Sequence, residues 1–423
     1  MQGAATVSSR PGGTDPDRAE DQGLRPGAQA QPPESRGSTA TRGFDFRSVP
    51  LVRRGPATSE DVGEIVRELG CRHVLLVSDQ GVATHGLLEP IRAGLTRLGV
   101  ELTQYLDVRP DPTADMVEVA LGVARHAGAD GVVGVGGGSS LDVAKLVAWL
   151  LGVSRPLADL YGIGRAQGPR CPLVLVPTTA GTGSEMTPVA IVTAADGEKK
   201  GVVSPRLVPD AAVLDPNLTL GLPQAVTAAT GFDALVHAIE SYTSRVHKNP
   251  LSDGLSRDAF RLLLGNIHTA FADGSRRDAR EAMLLGAAMA GKAFANAPVG
   301  GVHALAYPLG SRLGVAHGVA NALMLPAVMR FNLPAARAQY AELACIACPG
   351  RSGSDDQLAH ALIDRLDALR RELGLPTRLR DVGASADDVE TLATDALHQQ
   401  RLLFNNPRPI EFGDAVVLYA EVL

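Results

Sequence analysis

A chain of 423 residues is too long for one ordinary core and suits two domains. With 45% apolar and 20% charged residues and a net charge of −6, it reads as globular, which argues against nucleic acid or an anionic membrane as its main partner. No apolar run reaches the roughly 18 residues of a transmembrane helix, and four cysteines make no disulfide framework, so a reducing, cytoplasmic setting is expected.

Residues 1–42 hold one Leu, one Val, six Gly and five Pro, and no Ile, Phe, Tyr or Trp. Such a segment cannot bury enough apolar surface to offset its ordering entropy, so a disordered tail is expected. Five arginines hint at a transit peptide, but Asp15, Asp17, Glu20 and Asp21 argue against it, and no apolar h-region for secretion is present.

From Phe44 to about Leu222, short apolar runs (His73–Val77, Gly131–Val135, Leu173–Val176) alternate with longer helical stretches. The run Val74-Leu75-Leu76-Val77 lacks in/out alternation, as a strand buried on both faces does. This half reads as a mostly parallel α/β sheet. Beyond Pro223 the spacing turns helical over Ala225–Ser244, Leu251–Ala270, Arg277–Ala295, Ala335–Cys345, Asp355–Leu373 and Ala386–Phe404, with no strand. The expected architecture is an α/β N-terminal domain over 43–222 and an all-α C-terminal domain over 223–423.

Between the apolar run from Gly131 and a helix through Lys145 lies Gly136-Gly137-Gly138-Ser139-Ser140. Successive glycines let a backbone approach a ligand, and a helix N-terminus points free N–H groups at it, which suits a pyrophosphate. Ser139 stands where the third Rossmann glycine would be, so a tight structural turn is the competing reading. A second loop, Thr178-Thr179-Ala180-Gly181-Thr182-Gly183-Ser184-Glu185, follows the next strand, where α/β sheets bind ligands; helix capping explains only some of its hydroxyls. Asp79 ends the strand from His73, where an acid can accept from an adenosine ribose and favour NAD over NADP. It precedes the glycines instead of following them, so this reading requires a non-Rossmann strand order, and a helix N-cap explains Asp79 equally well.

Asp233 and His237 are i and i+4 on an otherwise apolar helix, a spacing that suits one metal or a buried hydrogen bond. His303 and His317, 14 residues apart, add two imidazoles. On one straight helix they would sit about 21 Å apart, so the chain must fold back between them, and Pro308, Gly310 and Gly314 are placed to allow it. One carboxylate and three imidazoles suit iron(II) or zinc, and the lack of thiolates argues against a structural zinc. The Cys345-Ile346-Ala347-Cys348 pair has no second pair and reads as structural.

These motifs, with Asp215-Pro216 and Asn405-Asn406-Pro407-Arg408-Pro409, resemble the iron-containing (group III) alcohol dehydrogenases across residues 44–423. The resemblance implies the dehydroquinate synthase-like fold, an NAD-binding domain and a helical metal domain, with alcohol/aldehyde chemistry in the cleft between them. It implies Asp233, His237, His303 and His317 as ligands of iron, zinc being possible. Asp79, Gly137, Gly138, Ser139, Thr178, Thr179, Thr187, Lys200, Leu218, Gly221 and Leu222 fall on cofactor positions. Two residues depart from the common pattern: Tyr307 stands where many members carry a further histidine, and Asp111 where they carry asparagine. Tyr307 is expected to position substrate; as the base it is excluded, since an unperturbed phenol titrates near 10. A small alcohol or aldehyde is the expected partner, a neutral one since few basic residues adjoin the motifs, and a homodimer is the expected assembly. The competing functions are a hydroxyacid–oxoacid transhydrogenase, a non-redox NAD- and metal-dependent lyase, and a non-catalytic binding protein.

Overall fold

The computed structural model describes residues 43–423; the expected tail over 1–42 lies outside the described residues. Among the described residues nine strands form two sheets: β1 Leu51–Arg54, β2 His73–Val77, β3 Glu101–Tyr105, β4 Gly131–Gly136, β5 Gly162–Ile163, β6 Leu173–Pro177, β7 Val189–Thr193, β8 Lys199–Val203 and β9 Ala211–Leu214. Six of them make a parallel sheet in the order β1-β9-β6-β4-β2-β3. Its central strands β4 and β6 are buried at every residue, because helices cover both faces. Those helices are α1 Val62–Glu68, α2 Gln80–Thr84, α3 Glu89–Arg97, α4 Ala114–Ala127 and α5 Gly138–Gly152. The remaining strands form a small sheet, β5-β8-β7, in which β7 and β8 are antiparallel.

This order resolves the misplaced acid. β2 and β4 are neighbours, so Asp79 stands beside the glycine turn although it precedes it in the chain. Its carboxylate caps α2, accepting from the Val82 N–H at 2.9 Å, and also accepts from the Ser140 hydroxyl at 3.3 Å. The hydroxyl loop follows β6, on the other side of β4, and the Thr178 N–H donates to the Gly136 carbonyl. Three adjacent carboxyl ends therefore present the three candidate cofactor segments to one crevice.

The C-terminal part is helical: α6 Gln224–Thr243, α7 Pro250–Ala272, α8 Arg277–Asn296, α9 Gly301–Leu313, α10 His317–Ala347, α11 Asp355–Glu372, α12 Val389–Leu397, α13 Gln400–Leu403 and α14 Phe412–Glu421. Helix α6 is buried along nearly its whole second half and forms the spine of the bundle. The expected stretches near 225, 251, 277 and 355 match α6, α7, α8 and α11 to within two or so residues.

Three expectations need correction. The helix expected from Ala335 begins at His317, and Pro326 and Pro334 lie inside it. A proline strips the carbonyl four residues earlier of its donor. For Pro326 that carbonyl is Ala322's, and the buried Arg370 guanidinium from α11 donates to it at 3.3 Å. The expected helix over Ala386–Phe404 is broken near His398, and α14 was not foreseen. Finally, the return between His303 and His317 is made at Gly314 in the left-handed conformation (φ 66°) that caps α9, while Pro308 and Gly310 remain helical.

Candidate active site

The four expected ligands come together. Asp233 and His237 lie on one face of α6, His303 is in the first turn of α9, and His317 opens α10. One ligand atom from each lies within 4.8 Å of the other three. Asp233 Oδ1 is 3.9 Å from His237 Nε2 and 3.7 Å from His317 Nε2. Metal–nitrogen bonds of about 2.1 Å bring ligand atoms to within about 4 Å of one another, so the spacing is that of a site. Three of the four residues are buried, and His317 is half-buried.

Chemistry of the donor set supports a cation. The Asn321 side-chain nitrogen has two protons yet stands beside three polar atoms: Asp233 Oδ1 at 2.6 Å, and His303 Nε2 and His317 Nε2 each at 3.2 Å. Its own Oδ1 is buried without a partner. Converging lone pairs of this kind are stabilised by a positive centre. Burial pushes the His237 imidazole down to about 3, partly opposed by the Asp233 carboxylate, so it is neutral at physiological pH. Burial likewise lowers His317. Burial works to raise Asp233, but His237, His317, His303 and the Asn321 amide outweigh it and hold the carboxyl below its usual range.

Two supporting residues escaped the sequence reading. Glu240 accepts from His303 Nδ1 at 2.6 Å and from the Val302 N–H at 2.7 Å. The first bond fixes the imidazole tautomer and leaves Nε2 as the acceptor. Glu240 lies seven residues after Asp233 and three after His237, hence on the same helical face, and that spacing was a usable signal. Asn321 repeats the i, i+4 step from His317. Phe294 stacks on His237 at 4.5 Å and closes one side. Glu240→Gln is expected to reduce metal affinity or turnover about 10- to 100-fold, because outer partners of ligating histidines carry effects of that size; metal content after dialysis and the rate with added metal measure it.

A cavity of about 240 Å³ joins this cluster to the sheet. It is lined by Gly138, Ser139 and Thr187 from the expected cofactor set, and by Tyr307 and all four candidate ligands. Gly137 caps α5 without any side-chain bond, so the helix N–H groups stay available to an anion. A methyl group at Gly137 would meet nothing closer than 3.7 Å, so no packing demands glycine there and the bare backbone leaves room for a ligand. Asp79, Gly137, Thr178, Thr179, Leu218, Gly221 and Leu222 follow the neighbouring strands without lining this cavity.

Lys200 turns away, pairing with Asp196 and Glu198, whereas Lys199 lines the cavity and pairs with Asp111 at 2.5 Å. Successive residues of β8 point to opposite faces, so Lys199 and not the expected Lys200 lies on the cavity side. Asp111 holds a left-handed backbone (φ 54°), a conformation asparagine and aspartate tolerate better than most residues. Burial raises the Tyr307 phenol, with the Arg401 guanidinium opposing. Tyr307 thus stays protonated, and its ring lies 5.8 Å from that of His317.

The Cys345–Cys348 pair ends α10, with each sulfur directed at a different backbone carbonyl, Ala341 and Ala361. No helix among the described residues is long and apolar enough to cross a membrane.

Comparison with known proteins agrees with this geometry. Residues 50–216 match the model of the iron-containing alcohol dehydrogenase family, and residues 227–423 match that of the Fe-containing alcohol dehydrogenase family, C-terminal. Long-chain-alcohol dehydrogenase 1 of Geobacillus thermodenitrificans is 38% identical over 375 residues, covering 88% of this chain and 94% of the relative. The crystal structure of a 1,3-propanediol oxidoreductase superposes with a TM-score of 0.88 at 36% identity, over 90% of this chain and 100% of that one. Sulfoacetaldehyde reductase from Bifidobacterium kashiwanohense, solved in complex with NAD+, superposes with a TM-score of 0.82 at 29% identity, over 90% and 99%. Because the matches run through both the crevice and the four-residue cluster, the chain belongs to the iron-containing alcohol dehydrogenase family and is an alcohol/aldehyde oxidoreductase.

Proposed function

We propose that the enzyme interconverts an alcohol and its aldehyde or ketone with NAD(H), using a divalent ion held by Asp233, His237, His303 and His317. Iron(II) is the first candidate and zinc the second. The observation that carries this reading is the convergence of the four ligand atoms, within 4.8 Å of one another, on the cavity that Gly138 and Ser139 also line. When bound, the ion supplies Lewis acidity and the dinucleotide accepts or donates the hydride.

Each of the chain's own residues has a part. Glu240 orients His303, and Phe294 keeps water from His237. The uncapped start of α5 and the hydroxyls of Thr178 and Thr179 bind phosphate or ribose oxygens, and Asp79 favours NAD by repelling a 2′-phosphate. Holding both reactants in one cavity converts an encounter of two molecules into a unimolecular step. Tyr307, kept protonated by burial, donates a hydrogen bond to the substrate. Free cysteines at 71, 171, 345 and 348 agree with a reducing, cytoplasmic setting.

The test is NADH absorbance with a panel of alcohols and aldehydes after loading with iron or zinc. Net formation of NADH from an alcohol, with NADP turned over more slowly, is the expected result. NAD that is never reduced in bulk points instead to a lyase. Activity that needs an added oxoacid and releases no NADH points to a transhydrogenase.

A further inference from the structure

The cavity holds a cation that the mechanism above does not use. Arg401 is brought to it by α13, 84 residues after the last candidate ligand, His317. Its guanidinium lies against β8, since a methyl group on Gly201 would stand 4.0 Å from one of its terminal nitrogens. The Tyr307 hydroxyl lies within hydrogen-bond reach of it. The other charges lining the cavity are committed: Lys199 to Asp111, Asp142 to the Ser184 hydroxyl, the Ile191 N–H and Lys145, and Asp233 to the candidate metal cluster. Among the described residues no carboxylate lies within 4.0 Å of the Arg401 guanidinium. A half-buried guanidinium without a carboxylate partner stands on the wall of the space where substrate binds, and its planar fork matches a carboxylate or sulfonate bidentately.

We propose that Arg401, with the Tyr307 hydroxyl beside it, seats the anionic end of a short aldehyde bearing a carboxylate or sulfonate, and so sets the specificity of the enzyme. This rests on the oxidoreductase reading and narrows its substrate class. It also reverses the expectation of a neutral substrate, because the chain places this base far from every motif in sequence and beside them in space.

The experiment compares 4-oxobutanoate with butanal, two aldehydes of equal carbon count, in the metal-loaded holoenzyme at saturating NADH. The wild type is expected to favour the anion in kcat/KM by about tenfold or more. In Arg401→Gln that preference falls roughly 10- to 100-fold, mainly through KM, since loss of one partner of a hydrogen-bonded charge pair has effects of that size. Arg401→Lys restores part of it, as a point charge without the fork. A measurement on the wild type covers failure of the variants to fold: raising salt increases KM for 4-oxobutanoate and leaves that for butanal flat. With sulfoacetaldehyde as a second anion, the same loss in Arg401→Gln is expected. Equal use of both four-carbon aldehydes, or an unchanged preference in Arg401→Gln, overturns the proposal and leaves the oxidoreductase reading standing. So does a variant in which only the KM for NADH rises, which would assign the guanidinium to the cofactor. Turnover of no aldehyde or alcohol at all overturns both.

Discussion

Replacing His303 with alanine is expected to remove the metal and, with it, turnover. His303 contributes the ligand atom that Glu240 orients, and its loss leaves Asp233 with two imidazoles and a hole in the buried cluster. A metal acting as Lewis acid lowers a barrier by several kcal/mol, so a drop of about 10³-fold or more in kcat follows at 1.4 kcal/mol per decade. Elemental analysis and steady-state rates should fall together; a metal-free variant that keeps full activity would sink the assignment.

Acid should do the same reversibly. In the metal-free protein burial holds His237 at about 3 and lowers His317. The unfolded chain, with histidines near the ordinary 6.5, therefore takes up protons first. The stability these residues contribute is complete above about pH 6.5 and is lost as pH falls from there toward 3. Metal retention falls in the same direction, since protons and ion compete for the same nitrogens.

The second large effect is structural. Lys145 on α5 is wholly buried, and its ammonium donates to the Ser184 and Thr187 hydroxyls and to the Val189 carbonyl, with Asp142 3.6 Å away. Burial raises the nearby Glu185 carboxyl to about 7, against the opposing pull of its own backbone hydrogen bond and of Lys145. Lys145→Met keeps the stem's volume but leaves buried carboxylates without their cation, a class of change that costs about 3–5 kcal/mol. A lowered midpoint of thermal unfolding and weaker NAD binding are both expected, because α5 carries the glycine turn at its start. The sign of the pH dependence is fixed by Glu185. Its native carboxyl titrates above the unfolded value of 4.5, so the stability it contributes is complete below 4.5 and declines as pH rises through about 7. The variant's deficit should therefore be larger at pH 8 than at pH 5. Adding Glu185→Gln should recover part of it; no recovery would mean that lost hydroxyl contacts, not stranded charge, dominate.

Much of this protein was legible as text. Buried parallel strands are continuous apolar runs, helices of the bundle keep a 3.6 spacing, and the glycine turn must use glycine wherever backbone approaches a ligand. Asp233 and His237 were readable together because one helix turn sets their distance. What local spacing does not encode is adjacency between distant segments. The neighbourhood of Asp79 and the glycines follows from strand order, and the partnership of Glu240 with His303 spans 63 residues. The helix through Pro326 is possible because Arg370 replaces its missing donor. Residue by residue, the sequence determined which side chains can ligate, cap or cradle, since those are properties of local chemistry. Only the tertiary structure decided that the loops after two neighbouring strands, the helices that carry the four candidate ligands and one late arginine meet in a single cavity, because long-range packing, not spacing, fixes which segments touch.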